Sequence, residues 1–159
     1  MEKTIEELIQ DLKSTDEFVK EEAMGLLEFN AKESVDPLIN ALKSSDKEIR
    51  KGAAQALGLI KDTKAIEPLI NTLSDGNKLV RREASTALSH MGEAAVDPLM
   101  ETLKSPDWKV RGAAVWALGA IGDSRAVGSI EKLLNDEKNF VVVGARYAID
   151  AIKNPKKEE

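Results

Sequence analysis

A repeat of 30–31 residues runs through the chain and restricts its fold more than any other feature. Apolar residues recur in one register five times, at spacings of 30, 31, 30 and 31 residues. Two of these columns are Leu8, Leu38, Leu69, Leu99, Ile130 and Ala23, Ala53, Ala84, Ala114, Ala145. A unit this short cannot bury a core alone, so such units stack in a linear array with one continuous core.

Within each unit the apolar spacing is that of two α-helices. In the second unit the positions i, i+3, i+4 and i+7 are Val35, Leu38, Ile39 and Leu42, which form one helical face. Polar joints such as residues 44–46 (Ser-Ser-Asp) offer N-cap residues for a second helix, and Gly122 is placed to end one. The pattern predicts an all-α solenoid of five helical hairpins, about ten helices, with the strand-like residues 141–143 inside a helix.

We expect a single domain over residues 1–153, with units at about 1–31, 32–61, 62–92, 93–122 and 123–153. The polar residues 154–159 are predicted to form a disordered tail. Pro37, Pro68 and Pro98 are expected in the first turn of their helices, where a missing N–H costs little. The i, i+4 pairs Asp46/Arg50 and Asp107/Arg111 are predicted to belong to a structural ladder that ties neighbouring layers together.

The repeat resembles the HEAT repeat, in the variant named after phycobilisome chromophore lyases. Its clearest copies are AIEPLI at residues 65–70 and DWKVRGAA at residues 107–114, and the resemblance covers about residues 1–153. It implies a right-handed superhelix whose second helices line the concave side. The family includes scaffolds, lyase subunits, hydroxylases and DNA-repair enzymes, so the resemblance does not select an activity.

The residue inventory disfavours catalysis and cofactor binding. There is no cysteine, and His90 is the only histidine, so the usual zinc and iron sites cannot form. HEAT-type hydroxylases hold iron with His-Glu pairs, whereas His90 precedes Met91 and is expected to pack laterally. We therefore predict a protein that is not an enzyme and holds no metal or cofactor.

Charge and hydropathy indicate the environment and partners of the chain. The net charge is −5, which disfavours binding to nucleic acid and to anionic membranes. No apolar run reaches the roughly 18 residues that span a bilayer, and the N-terminal residues lack the order of a secretory signal. A cytoplasmic protein without a membrane anchor is predicted.

The candidate binding surface lies on the outward face of the second helices. At about 100° per residue, Trp116 points almost directly away from the core. Trp108, Gly112 and Trp116 follow one another at i, i+4, so the glycine is expected to leave a slot between two indoles. Val143 and Tyr147 are expected to form the adjacent wall. The remaining predicted binding residues are Phe140 and the basic group Lys47, Lys51, Lys78 and Arg82.

These residues favour a scaffold that binds a protein or peptide, because exposed Trp and Tyr are enriched at binding hot spots. The alternative is that the aromatic rings pack sideways against neighbouring repeats and that the basic group is simply a solvated face. Two other functions remain open: a nucleic-acid-binding HEAT-like protein and a chromophore-lyase-like accessory subunit. Val142 and Val143 could also leave an apolar patch that forms a homodimer.

Overall fold

Ten α-helices make up the regular secondary structure of residues 2–156, the part of the chain that this computed structural model describes. They are α1 (Ile5–Asp11), α2 (Glu17–Phe29), α3 (Ala31–Ala41), α4 (Lys47–Ile60), α5 (Ile66–Thr72), α6 (Lys78–His90), α7 (Val96–Thr102), α8 (Trp108–Ile121), α9 (Val127–Glu131) and α10 (Asn139–Lys153). Short 3-10 turns at Thr63–Ala65, Gly92–Ala95, Ser124–Ala126 and Lys132–Asn135 lie next to the first helices of units 3–5. Of the predicted tail, residues 157–159 lie outside the described part.

Four of the second helices, α2, α4, α6 and α8, begin at polar side-chain caps supplied by the joints, whereas α10 has no side-chain cap. Asp46 accepts a hydrogen bond from the N–H of Glu48, and Asp107 accepts one from the N–H of Lys109, so each carboxylate satisfies a backbone donor at the start of α4 or α8. Gly122 ends α8 in the left-handed conformation at φ 78°, as predicted, because a glycine has no Cβ to clash there. Residues 141–143 lie inside α10, which confirms their helical assignment.

The prediction for the prolines holds in two units and fails in the third. Pro68 and Pro98 lie in the first turns of α5 and α7. Pro37 lies well inside α3, because this helix begins at Ala31, directly after the end of α2. Units 3 and 4 place a 3-10 turn before the proline-bearing helix, whereas unit 2 continues as α-helix through the corresponding residues.

The helices form two layers that share one core, and this confirms the predicted α-solenoid. The second helices pack on one another in the order α4, α6, α8, α10, while each first helix packs on the second helix of its own unit. Fully buried leucines lie between the layers: Leu38, Leu57, Leu69, Leu88, Leu99 and Leu118. Within residues 2–156, no helix is long and apolar enough to cross a membrane.

Two of the interfaces between second helices are closer than the others, and a glycine permits each. A Cβ added at Gly58 of α4 would lie 2.9 Å from the Cα of Ala87 on α6. A Cβ at Gly119 of α8 would lie 2.9 Å from the Cα of Ala148 on α10. The equivalent positions of α2 and α6 hold Glu28 and Ser89, and the α2/α4 and α6/α8 interfaces are correspondingly looser.

Largely buried arginines join the same two pairs of units. Arg50 donates hydrogen bonds to both oxygens of Asp75, at 2.8 and 3.2 Å, and Arg111 binds Asp136 likewise, at 2.8 and 3.0 Å. The predicted tie between layers is therefore present between units 2 and 3 and between units 4 and 5. Its carboxylate comes from the next unit rather than from position i−4, because Asp46 and Asp107 already cap their helices.

The third arginine of this column makes no such tie. Arg81 donates a hydrogen bond to the backbone carbonyl of Asp75, over 2.8 Å. In the next unit, the position equivalent to Asp75 and Asp136 holds Ser105, which has no carboxylate to offer. Close packing and buried ion pairs therefore recur every second unit, with a period of 61 residues between Arg50 and Arg111.

Candidate functional site

An open apolar groove lies between α8 and α10. We call it the α8/α10 groove, and its volume is about 560 Å³. Its lining residues are Gly112, Trp116, Gly119, Ala120, Phe140, Val143, Gly144, Tyr147, Ala148 and Ala151. The structure thus brings together five of the predicted binding residues, namely Gly112, Trp116, Phe140, Val143 and Tyr147. All five lie in the last two units.

Small residues form the floor of this groove and large rings form its walls. Gly119 and Ala148 bring the two helices into contact below the groove. Above them Trp116 is 52% exposed and Tyr147 is 75% exposed, so both rings stand in solvent on either side of the floor. The groove can therefore accept an apolar side chain and surround it with aromatic surface.

The predicted slot between the two indoles is wrong, because another ring already fills it. A Cβ at Gly112 would lie 2.7 Å from Cε1 of Phe140, so the glycine makes room for that ring from the next unit. Trp108 meets Phe140 edge to face, with ring centroids 5.7 Å apart, and is itself only partly exposed. Trp108 therefore packs sideways between repeats, as the alternative interpretation expected, and supports the groove from outside.

The basic group lies apart from the α8/α10 groove, on α4 and α6. Lys51 forms an ion pair with Glu48 at 2.8 Å, and Arg82 pairs with Glu83 at 3.1 Å. The hydrogen bond from Lys51 lowers the pKa of the Glu48 carboxyl, so that this carboxylate stays ionised. Lys47 and Lys78 are exposed at the starts of α4 and α6. Local carboxylates thus offset half of the predicted basic group.

A second apolar groove between α4 and α6 was missed by the sequence analysis. Its volume is about 300 Å³. We call it the α4/α6 groove, and its lining residues are Met24, Gln55, Gly58, Leu59, Glu83, Thr86, Ala87 and His90. It was missed because Gln55 and Thr86 are polar, whereas the equivalent residues Trp116 and Tyr147 are aromatic. The glycine that recurs as Gly58 and Gly119 could have indicated it.

Three other groups of side chains were candidates for binding: metal-ligating residues, the valines of α10 and the exposed phenylalanines of α2. Within residues 2–156, no group of three or more His, Cys, Asp or Glu side chains is arranged to hold a metal ion. Val142 is partly buried, and Val143 is used in the wall of the α8/α10 groove. The exposed Phe18 and Phe29 lie on α2, outside both grooves.

The fold and the groove define a class of protein: a helical-repeat solenoid with open apolar grooves in its layer of second helices. The family model described as HEAT repeats matches residues 5–73 and 66–150. The chain therefore belongs to the HEAT-repeat family, as its repeat motif predicted. No curated protein matches the chain.

Solved structures with this fold are natural and engineered. A chain of the complex of CpcE and CpcF of phycocyanin lyase from Nostoc sp. PCC7120 is 27% identical with a TM-score of 0.59; the match covers 96% of this chain and 66% of that one. The archaeal HEAT-like repeats protein from Thermococcus onnurineus NA1 is 21% identical with a TM-score of 0.57, covering 99% and 68%. The chain thus spans slightly less than two thirds of the lyase chain, and the likeness agrees with the predicted lyase-like type of repeat.

Proposed function

We propose that this protein is a non-catalytic scaffold whose α8/α10 groove binds a segment of a protein partner, with a large apolar side chain of the partner between Trp116 and Tyr147. The observation that carries the proposal is the open apolar groove itself, walled by two rings that are more than half exposed. Exposed aromatic surface around a concave apolar floor is typical of interaction sites.

The packing of the layers supports a binding role for this face. From α4 to α10 the second helices pack against one another over much of their length, whereas the first helices of the same units make few contacts with one another. An array whose one layer is more tightly spaced bends toward that layer, so the second helices are expected on the inner, concave side. The α8/α10 groove would then open on the concave side, where a partner held within the curve of the array can reach it.

The chemistry of the groove favours an apolar anchor over a charged one. Its floor offers glycine and alanine, and its walls offer rings and Val143. Burying a Leu, Phe or Met side chain there is worth about 1.5–3 kcal/mol. Two rigid aromatic rings lose little rotamer freedom on binding, which makes Trp116 and Tyr147 the expected hot spots.

The proposal can be tested with peptides selected from a displayed random library against the full chain. We expect the selected peptides to carry an aromatic or large aliphatic residue. The Trp116→Ala/Tyr147→Ala double variant should weaken their binding at least tenfold, measured by fluorescence anisotropy. The Phe18→Ala variant removes an exposed ring outside the groove and should bind as the wild type does.

Circular dichroism and a denaturation midpoint establish that the variants remain folded. Both mutated rings are exposed, so their removal is not expected to unfold the array. A folded double variant that keeps the wild-type affinity for every selected peptide contradicts the proposal.

A second candidate function, an accessory subunit of a chromophore lyase, is favoured by one observation. The chain is 27% identical to the phycocyanin lyase chain over 96% of its own length. An apolar groove beside Trp116 would then take a tetrapyrrole instead of a side chain. Saturable quenching of Trp116 fluorescence by a linear tetrapyrrole, lost in Tyr147→Ala, is expected in that case. Unchanged fluorescence excludes it.

A further inference from the structure

The α4/α6 groove repeats the α8/α10 groove two units earlier in the array. Seven of its eight lining residues, all but Met24, have a counterpart 61 positions later in the lining of the α8/α10 groove. The pairs are Gln55 and Trp116, Gly58 and Gly119, Leu59 and Ala120, Glu83 and Gly144, Thr86 and Tyr147, Ala87 and Ala148, His90 and Ala151. The two grooves are therefore one structural site formed twice.

The same sequence features produce both copies. Each groove overlies a glycine that brings two second helices into contact, Gly58 in one and Gly119 in the other. Each lies at an interface that a largely buried Arg–Asp pair also ties together. The α6/α8 interface between them has neither feature, since Ser89 and Ser105 occupy the corresponding positions.

The spacing of the repeat units sets the distance between the grooves. Packed helices lie about 10 Å apart, so two grooves that are two repeat units apart are separated by roughly 20 Å. An extended chain advances about 3.3 Å per residue and covers that distance in about six residues. Side chains of an extended segment alternate in direction, so residues i and i+6 point to the same side and can enter both grooves together.

The surface between the two grooves carries exposed cations. Lys78 and Arg82 lie on α6, and Lys109 lies on α8. Arg82 pairs with Glu83, whose side chain is largely buried, and the Asp107 carboxylate caps α8 two residues before Lys109. Charge complementarity therefore favours acidic residues in the part of a ligand that crosses α6 and α8.

We propose that the two grooves bind one extended, acidic segment of a protein partner, with two large apolar anchor residues six positions apart and one anchor in each groove. This inference rests on the proposed function of the α8/α10 groove and adds the conformation, charge and anchor spacing of its ligand. Linking two weak anchors through one segment makes the second contact intramolecular, which raises affinity by about 10²–10⁴-fold.

Synthetic labelled peptides of equal length test the spacing and the charge. The first carries two tryptophans at positions i and i+6 of an otherwise Asp/Glu/Gly/Ser sequence. The others carry the tryptophans at i and i+3, carry only one tryptophan, or replace the acidic residues with lysine. The i, i+6 acidic peptide should bind at least tenfold more tightly than each of the others, with one peptide per chain by calorimetry.

A matched pair of leucine variants tests whether the α4/α6 groove takes part. Leu59 lines this groove and Leu79 does not, and both are 41% exposed. Leu59→Ser should weaken the i, i+6 peptide about tenfold and leave the single-tryptophan peptide unaffected. Leu79→Ser should change neither affinity.

Equal affinity for the i, i+3 and i, i+6 peptides, or two chains bound per peptide, overturns the inference. So does wild-type affinity of the Leu59→Ser variant for the i, i+6 peptide. In those cases peptides that still lose affinity in the Trp116→Ala/Tyr147→Ala variant leave the proposed function standing. Insensitivity of all peptides to that double variant overturns both.

Discussion

The guanidinium of Arg111 contacts both oxygens of the Asp136 carboxylate, with Nε donating to Oδ2 at 2.8 Å and Nη2 donating to Oδ1 at 3.0 Å. Nη1 of the same arginine donates to the backbone carbonyls of Ser105 and Pro106. One side chain therefore closes the joint between α7 and α8 and attaches it to the next unit. The two ionic side chains are only 10% and 6% exposed.

Removing the carboxylate of this pair should destabilise the array strongly. Asp136→Ala leaves the Arg111 charge buried without its partner. Leaving one charge of a buried ion pair uncompensated lowers the free energy of unfolding by about 3 kcal/mol. The free energy of unfolding from urea denaturation measures the loss. Glu101→Ala removes an exposed pair with Lys104 and should leave that free energy unchanged. Equal stability of the two variants contradicts the prediction.

Stability should fall in acid because of the two inter-unit carboxylates. Hydrogen bonds from Arg111 hold the pKa of Asp136 below its usual range, against the opposing effect of burial. For Asp75 burial raises the pKa, but hydrogen bonds from Arg50 and from the N–H of Asn77 outweigh it and lower the pKa overall. In the unfolded chain both carboxyls titrate near their ordinary value of about 4.

A carboxyl whose pKa is lowered in the folded state stabilises the fold above its unfolded pKa, and this contribution is lost as the pH falls through its folded pKa. The free energy of unfolding should therefore stay level from about pH 7 to 5 and decrease below about pH 4. Urea titrations at successive pH values measure the slope. The Asp75→Asn/Asp136→Asn variant should show a shallower acid slope, and an unchanged slope contradicts the assignment.

The contact between Gly119 and Ala148 predicts opposite effects for two glycine-to-alanine changes. A Cβ at Gly119 would meet the backbone of α10 at 2.9 Å, so Gly119→Ala should cost about 1–3 kcal/mol by forcing α8 and α10 apart. Gly25 lies in α2 with nothing within 4 Å of an added Cβ. Gly25→Ala should stabilise the protein by about 0.5–1 kcal/mol, because alanine is the better helix former. Thermal or urea midpoints decide the signs.

The two tryptophans should differ in their access to solvent. Trp116 is half exposed beside the groove, whereas Trp108 is partly covered by Phe140. The Trp108→Phe variant, which retains Trp116, should be quenched more strongly by acrylamide than the Trp116→Phe variant. A bound peptide should then protect Trp116 alone. Equal quenching constants in the two variants contradict this placement.

The sequence predicts most of this fold because the same apolar pattern recurs in each of the five units. Columns such as Ala23 to Ala145 mark the buried face, and Asp46, Asp107 and Gly122 mark helix starts and one helix end. Each of these features acts within a few residues, so helical periodicity and capping are enough to locate it. The start of α3 was misplaced because the proline column indicates a helix start that unit 2 does not use.

The contacts that a side chain makes with the next repeat were not determined by periodicity. A helical wheel places Trp108 and Trp116 on one outward face, but it does not show that Phe140 of the following unit enters the space above Gly112. Likewise the wheel gives Arg111 a partner in Asp107, while the fold gives it Asp136. In both cases the deciding atom lies on the next repeat.

By itself, then, the sequence determined the helices, their buried faces and their stacking order, because these depend on residues three to four positions apart and on a regular repeat. Only the tertiary structure decided which interfaces are close, where the apolar grooves open and which carboxylate each buried arginine binds. The physical reason is the distance between neighbouring helices, which depends on pairs such as Gly119 and Ala148 that lie 29 residues apart in the chain and in contact in space.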